Sequence, residues 1–129
     1  MSDVRVLIVD DQLPFREAMR MVVDVSDGFE CVGEAGDGAA AVELAAALRP
    51  DLVLIDVQMP VMDGLDATRA IRLADPSVHV FVLSTHESGD FAAPALAAGA
   101  DAFIPKSSFG MDTLDDAWER AVAGDASAP

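Results

Sequence analysis

Three aspartates in this chain each stand directly after an apolar run. Asp10 and Asp11 follow Val4-Arg5-Val6-Leu7-Ile8-Val9, and Asp56 follows Leu52-Val53-Leu54-Ile55. Two more apolar runs end in groups of other chemistry: 78–83 leads to Ser84-Thr85-His86, and 102–104 leads through Pro105 to Lys106. Carboxylates brought close together repel and would have raised pKa values. A hard divalent cation removes that cost, and Mg²⁺ takes oxygen ligands while keeping some waters. Asp10, Asp11 and Asp56 are thus candidate Mg²⁺ ligands, with Lys106 as a fixed positive charge opposite. An acidic pocket with a cation, a lysine and a hydroxyl suits a phosphoryl group, whose oxygens want such partners.

For these groups to meet, the apolar runs must be neighbouring strands that end at one edge. The run 52–55 is uninterrupted, as expected of a strand buried on both faces. Between the runs lie helical patterns. In 12–24, Phe15, Ala18, Met19, Val22 and Val23 recur at helical spacing, with Asp11 a candidate cap and Pro14 in the first turn. A second helix is predicted over 39–48, with Ala41, Leu44, Ala45 and Leu48 on one face, ended by Arg49-Pro50. A third is predicted over 64–73, after an Asp63-Gly64 turn signal. The fourth, over 88–98, contains Pro94 and is therefore expected to be short, kinked or late in starting. Gly99 is its expected C-terminal cap. The fifth carries Leu114, Ala117, Trp118, Ala121 and Val122 on one face and ends at Gly124. Five strands alternating with five helices call for a parallel sheet covered on both faces by right-handed crossovers. If strands one, three, four and five are neighbours, the polar groups share one small crevice.

Composition excludes several classes. The 129 residues suffice for one domain with a core, and 52% of them are apolar, too many for disorder. No apolar run approaches the roughly 20 residues that span a bilayer, and the start Met1-Ser2-Asp3 lacks the features of a signal peptide. The single cysteine, Cys31, excludes a disulfide framework and reads as a small buried hydrophobe in a cytoplasmic protein. A net charge of −15 argues against direct binding to nucleic acid or to membranes. Gly36-Asp37-Gly38 lacks the third glycine of a dinucleotide loop and follows the wrong strand. His79, Trp118 and the methionines read as packing or surface residues.

Taken together, the chain resembles the receiver domain of two-component response regulators. The pieces are Asp10-Asp11, Asp56, Met59-Pro60 with Asp63-Gly64, Ser84 and Lys106, in order and at receiver-like spacing. Gly33-Glu34-Ala35, Leu83-Ser84, Ala98-Gly99-Ala100-Asp101-Ala102 and Lys106-Ser107 are similar to receivers attached to LuxR-type helix-turn-helix domains. Two features depart from the family: Ser107 stands where proline commonly follows the lysine, and Pro94 lies within an alanine-rich fourth helix.

The resemblance implies an α/β fold, doubly wound, with strand order 2-1-3-4-5 and five helices. It implies that residues 1–124 form the receiver and that 125–129 are a tail or the start of a linker. Asp56 would be the phosphoacceptor, taking its phosphoryl group from the phosphohistidine of a sensor histidine kinase or from a small phosphodonor. Asp11, Asp56 and the backbone carbonyl of Gln58 would hold Mg²⁺, with Asp10 acting mainly through water. Ser84 and Lys106 would bind phosphoryl oxygens, with Thr85 the alternative hydroxyl. Phe103 occupies the place of the switch aromatic, and His86 would tune the phosphate's lifetime together with Gln58. The switched surface would be the helix four–strand five–helix five face, controlling an attached DNA-binding domain. A homodimer formed on phosphorylation is among the partners the resemblance allows. The rivals are a stand-alone receiver, a phosphorylation-independent interaction module and a flavodoxin-like nucleotide or flavin binder.

Overall fold

A computed structural model describes residues 3–59, 62–85 and 91–124. The elements alternate along the chain: β1 (Val4–Val9), α1 (Leu13–Val25), β2 (Phe29–Ala35), α2 (Gly38–Leu48), β3 (Leu52–Asp56), α3 (Gly64–Ala74), β4 (His79–Ser84), α4 (Ala92–Ala97), β5 (Ala102–Pro105) and α5 (Met111–Ala123). A single 3₁₀ turn, Lys106–Ser108, joins β5 to α5. The five strands form one parallel sheet in the order β2-β1-β3-β4-β5, the order expected.

Alternation along the central strands divides the core. Leu7, Val9, Val53, Ile55, Val80 and Val82 pack with Ala41 of α2, Ala67 and Ile71 of α3, and Ala95 of α4. Val6, Ile8, Leu52, Leu54, Phe81 and Leu83 pack with Met19 and Val23 of α1 and Leu114 of α5. Both faces are covered, which is why β3 reads as an unbroken apolar run. All of Leu52, Val53, Leu54 and Ile55 are fully buried.

The helix starts follow local chemistry. Asp37 and Asp63 cap α2 and α3, each accepting a hydrogen bond 2.8 Å long from the main-chain N–H three residues on. The helix α2 stops at Arg49, held at φ 50° directly before Pro50, a residue that disfavours helix in its predecessor. Pro94 sits in the first turn of the six-residue α4, where its missing N–H has no helical partner to lose. The short helix agrees with the expectation; residues 88–90, its expected start, lie outside the described residues, as do Pro60, His86 and the tail 125–129. Gly99 follows α4 at φ 107° and Gly124 caps α5 at φ 76°.

Several expectations are corrected. Asp11 does not cap α1; Gln12 holds the cap position without a side-chain bond, and it is Asp10 Oδ1 that accepts the Gln12 N–H at 2.9 Å. Ala18 is exposed, and Val122 is 55% exposed, because α1 and α5 each present a narrower stripe to the sheet than the periodicity suggested. The fourth strand both starts and ends one residue later than expected, at His79–Ser84, so Ser84 closes β4 rather than following it. Cys31 is half-buried, not fully buried, and its thiol lies 3.5 Å from the Gly33 carbonyl. Burial pushes that thiol's pKa up, so it is not an activated nucleophile.

Candidate functional site

Strand register assembles the site. Val9 pairs with Ile55, so the residues that follow them, Asp10 and Asp56, stand side by side at the carboxyl edge. Ser84 pairs with Pro105, which delivers Lys106 one residue beyond the same edge. One oxygen from each of Asp10, Asp11 and Asp56 lies within 4.8 Å of the others. Lys106 Nζ lies 2.6 Å from Asp10 Oδ2 and 3.2 Å from Asp56 Oδ1. The three acids and Lys106, four of the groups expected to share the crevice, therefore lie together.

Burial sharpens the electrostatics. The Asp10 side chain is wholly buried, those of Asp56 and Lys106 are 9% exposed, and Asp11 is exposed. Burial, together with Asp10 and Asp11, pushes the Asp56 carboxyl up to about 6, although Lys106 pulls it down. Two acids and one ammonium leave an excess of negative charge in a nearly dry crevice. That deficit of positive charge, with oxygen donors on three sides, fits a hard divalent cation.

The backbone around Asp56 leaves little freedom. Val57 N–H donates to Leu83 O at 3.0 Å, and Gly64 N–H donates to Val57 O at 2.9 Å. Gly64 thus sits so close that a Cβ there would clash with the Asp56 carbonyl oxygen. Gly64 was legible as a turn residue, but its fit against Asp56 depends on the loop's return path. Asp10 is held at every polar atom: its N–H donates to Ala35 O at 3.1 Å, and its carbonyl accepts from Arg16 Nη1 at 2.8 Å.

The remaining predicted residues are placed as follows. Ser84 is fully buried and Thr85 exposed, which separates the two candidate hydroxyls by position. Gln58 is exposed in the loop after β3. Phe103 is half-buried beside Val82 in the sheet and packs, with Phe91, against the core beneath α2, α3 and α4. His79 packs its ring edge-on to Trp118 at 5.1 Å, with Asp101 3.3 Å away, far from the acids in the fold because it opens β4. Two contributors escaped the sequence. Phe15, read only as core, places its ring 3.8 Å from Lys106 Nζ, a cation–π contact over the crevice. Arg16 carried no periodic or motif signal and contacts the acid loop only through folding.

Comparisons with known proteins agree with this fold. Residues 6–119 match the family model of the response regulator receiver domain. A protein-glutamate methylesterase/protein-glutamine glutaminase of Alkalilimnicola ehrlichii is 43% identical over 104 residues, 80% of this chain and 27% of that protein. The transcriptional regulatory protein YxjL of Bacillus subtilis is 34% identical over 123 residues, 95% of this chain and 56% of that protein. The chain thus spans about a quarter to a little over half the length of these relatives. The receiver domain of the response regulator NarL from Mycobacterium tuberculosis superposes with a TM-score of 0.82 at 37% identity, covering 91% of this chain and 98% of that one. Among the described residues, no helix is long and apolar enough to cross a membrane. The chain belongs to the receiver domains of two-component response regulators.

Proposed function

We propose that Asp56 is the phosphoacceptor of this receiver. The observation that carries the proposal is Lys106 set between Asp10 and Asp56 at the common edge of β1, β3 and β5. An Asp56 carboxylate oxygen attacks the phosphorus of a kinase phosphohistidine or of a small acyl phosphate. The phosphorus–nitrogen or phosphorus–oxygen bond to the donor breaks, and an acyl phosphate forms on Asp56. Asp11, Asp56 and the Gln58 carbonyl would hold Mg²⁺, with Asp10 acting through water, and the ion would supply positive charge for the phosphoryl oxygens. Lys106 exchanges its contact with Asp56 for a phosphoryl oxygen, and the buried Ser84 hydroxyl donates to another. Ionised Asp56 is the nucleophile, so protonation below its pKa of about 6 removes it.

Phosphorylation adds nearly two negative charges and new acceptors beside Ser84 and Lys106. Their movement inward biases two arrangements of the α4–β5–α5 face, with half-buried Phe103 as the packing element that follows Ser84. A coupling of about 1–3 kcal/mol changes partner affinity about 5- to 150-fold. Thr85, His86 and Gln58 set the lifetime of the phosphoryl group. Residues 1–124 form the receiver. The domain acts in the cytoplasm with a sensor histidine kinase, pairs with a second copy when phosphorylated, and controls a DNA-binding output domain. It catalyses its own phosphoryl transfer and slow hydrolysis rather than a turnover reaction. Acetyl phosphate with Mg²⁺ should add about 80 Da to the wild type and nothing to Asp56→Asn. An absent adduct, or one unchanged in the variant, overturns the assignment.

A further inference from the structure

Glu34, part of the Gly33-Glu34-Ala35 stretch singled out in the sequence, has no part in the chemistry above. It accepts from Arg16 Nε at 3.2 Å through one oxygen and from Arg20 Nη1 at 2.9 Å through the other. The Arg16 side chain is 21% exposed, and its guanidinium also donates, through Nη1, to the Asp10 carbonyl. That carbonyl lies before α1 begins: the first helical N–H groups, of Phe15 and Arg16, go to Gln12 O. The Asp10 carbonyl oxygen belongs to the same rigid peptide unit as the Asp11 N–H. A bond to it therefore fixes the plane from which the exposed Asp11 side chain departs.

We propose that Arg16, braced by Glu34, is a positioning residue for the acid pocket: it locks the Asp10–Asp11 peptide and thereby aims the Asp11 carboxylate at Asp56. The proposal rests on the metal-binding role given to the acids above. The bracing ties the end of β2, through Glu34, to the loop that leaves β1. Without Arg16 the carbonyl turns to solvent, the peptide rotates, and Asp11 loses its standing direction. Residues that orient metal ligands from behind typically change metal affinity by about 10- to 100-fold when lost.

The test uses the full chain and MgCl₂ alone as the probe, followed by ¹⁵N–¹H NMR. Wild type should show saturable shifts of the residue 11 and residue 57 amides. Arg16→Met should weaken Mg²⁺ binding about tenfold. In EDTA it should also shift the Asp11 amide and speed its hydrogen exchange. Arg16→Lys reaches one acceptor and should recover part of the affinity; Glu34→Gln should fall between wild type and Arg16→Met. A core substitution far from the loop, Ile71→Val, should lower thermal stability and leave Mg²⁺ affinity unchanged. If Arg16→Met fails to fold, Arg16→Lys and Glu34→Gln carry the comparison. Wild-type Mg²⁺ affinity with an unmoved Asp11 amide in the folded variants overturns the positioning role. If wild type itself binds no Mg²⁺, the metal site and this proposal both fall.

Discussion

The buried position of Asp56 makes a measurable prediction about stability. Folding raises its carboxyl from the ordinary value of 3.8 to about 6, chiefly by burial. Such a rise corresponds to about 3 kcal/mol between the two protonation states. Below pH 3.8 the group carries its proton in both folded and unfolded chains, and folding is not penalised. Between pH 3.8 and 6 the unfolded chain releases the proton while the folded one keeps it, so stability falls across that window and levels off once the folded carboxyl has also ionised above 6. Asp56→Asn removes the ionisation. Its gain is smaller than the full penalty because Lys106 loses its 3.2 Å partner while keeping Asp10 at 2.6 Å. The variant should therefore be more stable than wild type by about 1–3 kcal/mol at pH 8 in EDTA, with the difference vanishing near pH 4. For a domain of this size that is roughly 4–12 °C in Tm. The assay is urea and thermal unfolding of both proteins from pH 4 to 8. Millimolar Mg²⁺ should shrink the difference at pH 8, since a cation bound only by the folded wild type stabilises it. A difference that does not change with pH, or a variant less stable than wild type at pH 8, refutes the reasoning.

Other outcomes follow from the same geometry. Lys106→Met strips the wholly buried Asp10 of its cationic partner and should cost about 3–5 kcal/mol at neutral pH, read by urea unfolding. Gly64→Ala forces a methyl group against the Asp56 carbonyl, so Tm should fall by ten degrees or more, corresponding to about 3 kcal/mol. A normal Tm for this variant would mean the loop has room that the fold does not show. In Mg²⁺-free preincubation followed by a brief Mg²⁺–acetyl phosphate pulse, the initial rate of adduct formation should drop as pH falls below 6. A rate that is flat from pH 5 to 8 would place the controlling ionisation elsewhere.

The acid crevice was legible because each polar group directly follows an apolar strand, and parallel strands deliver their carboxyl ends to one edge. Asp10, Asp56 and Lys106 needed only the strand order to meet, and Leu52 to Ile55 announced their burial by leaving no polar residue on either face. Other features depend on the path of the chain between strands. Whether Asp10 or Asp11 serves α1 turns on a single peptide orientation, and the periodicity of α1 cannot reveal that Arg16 reaches back to a carbonyl six residues before it. Ala18 and Val122 fit the helical spacing yet face solvent, since a helix on a sheet buries a strip set by its neighbours rather than by its own pattern. Phe15 looked like core because aromatic residues at that spacing usually are; its ring in fact lies over the Lys106 ammonium.

Three crowded carboxylates could take phosphorus, and a chemical label distinguishes them. Treating the acetyl phosphate-labelled protein with sodium borodeuteride reduces an acyl phosphate to a deuterated homoserine, and peptide mass spectrometry then reads its position. The label is expected at residue 56 and nowhere else. A label at residue 10 or 11, or no homoserine in a protein that has gained the adduct, would contradict it.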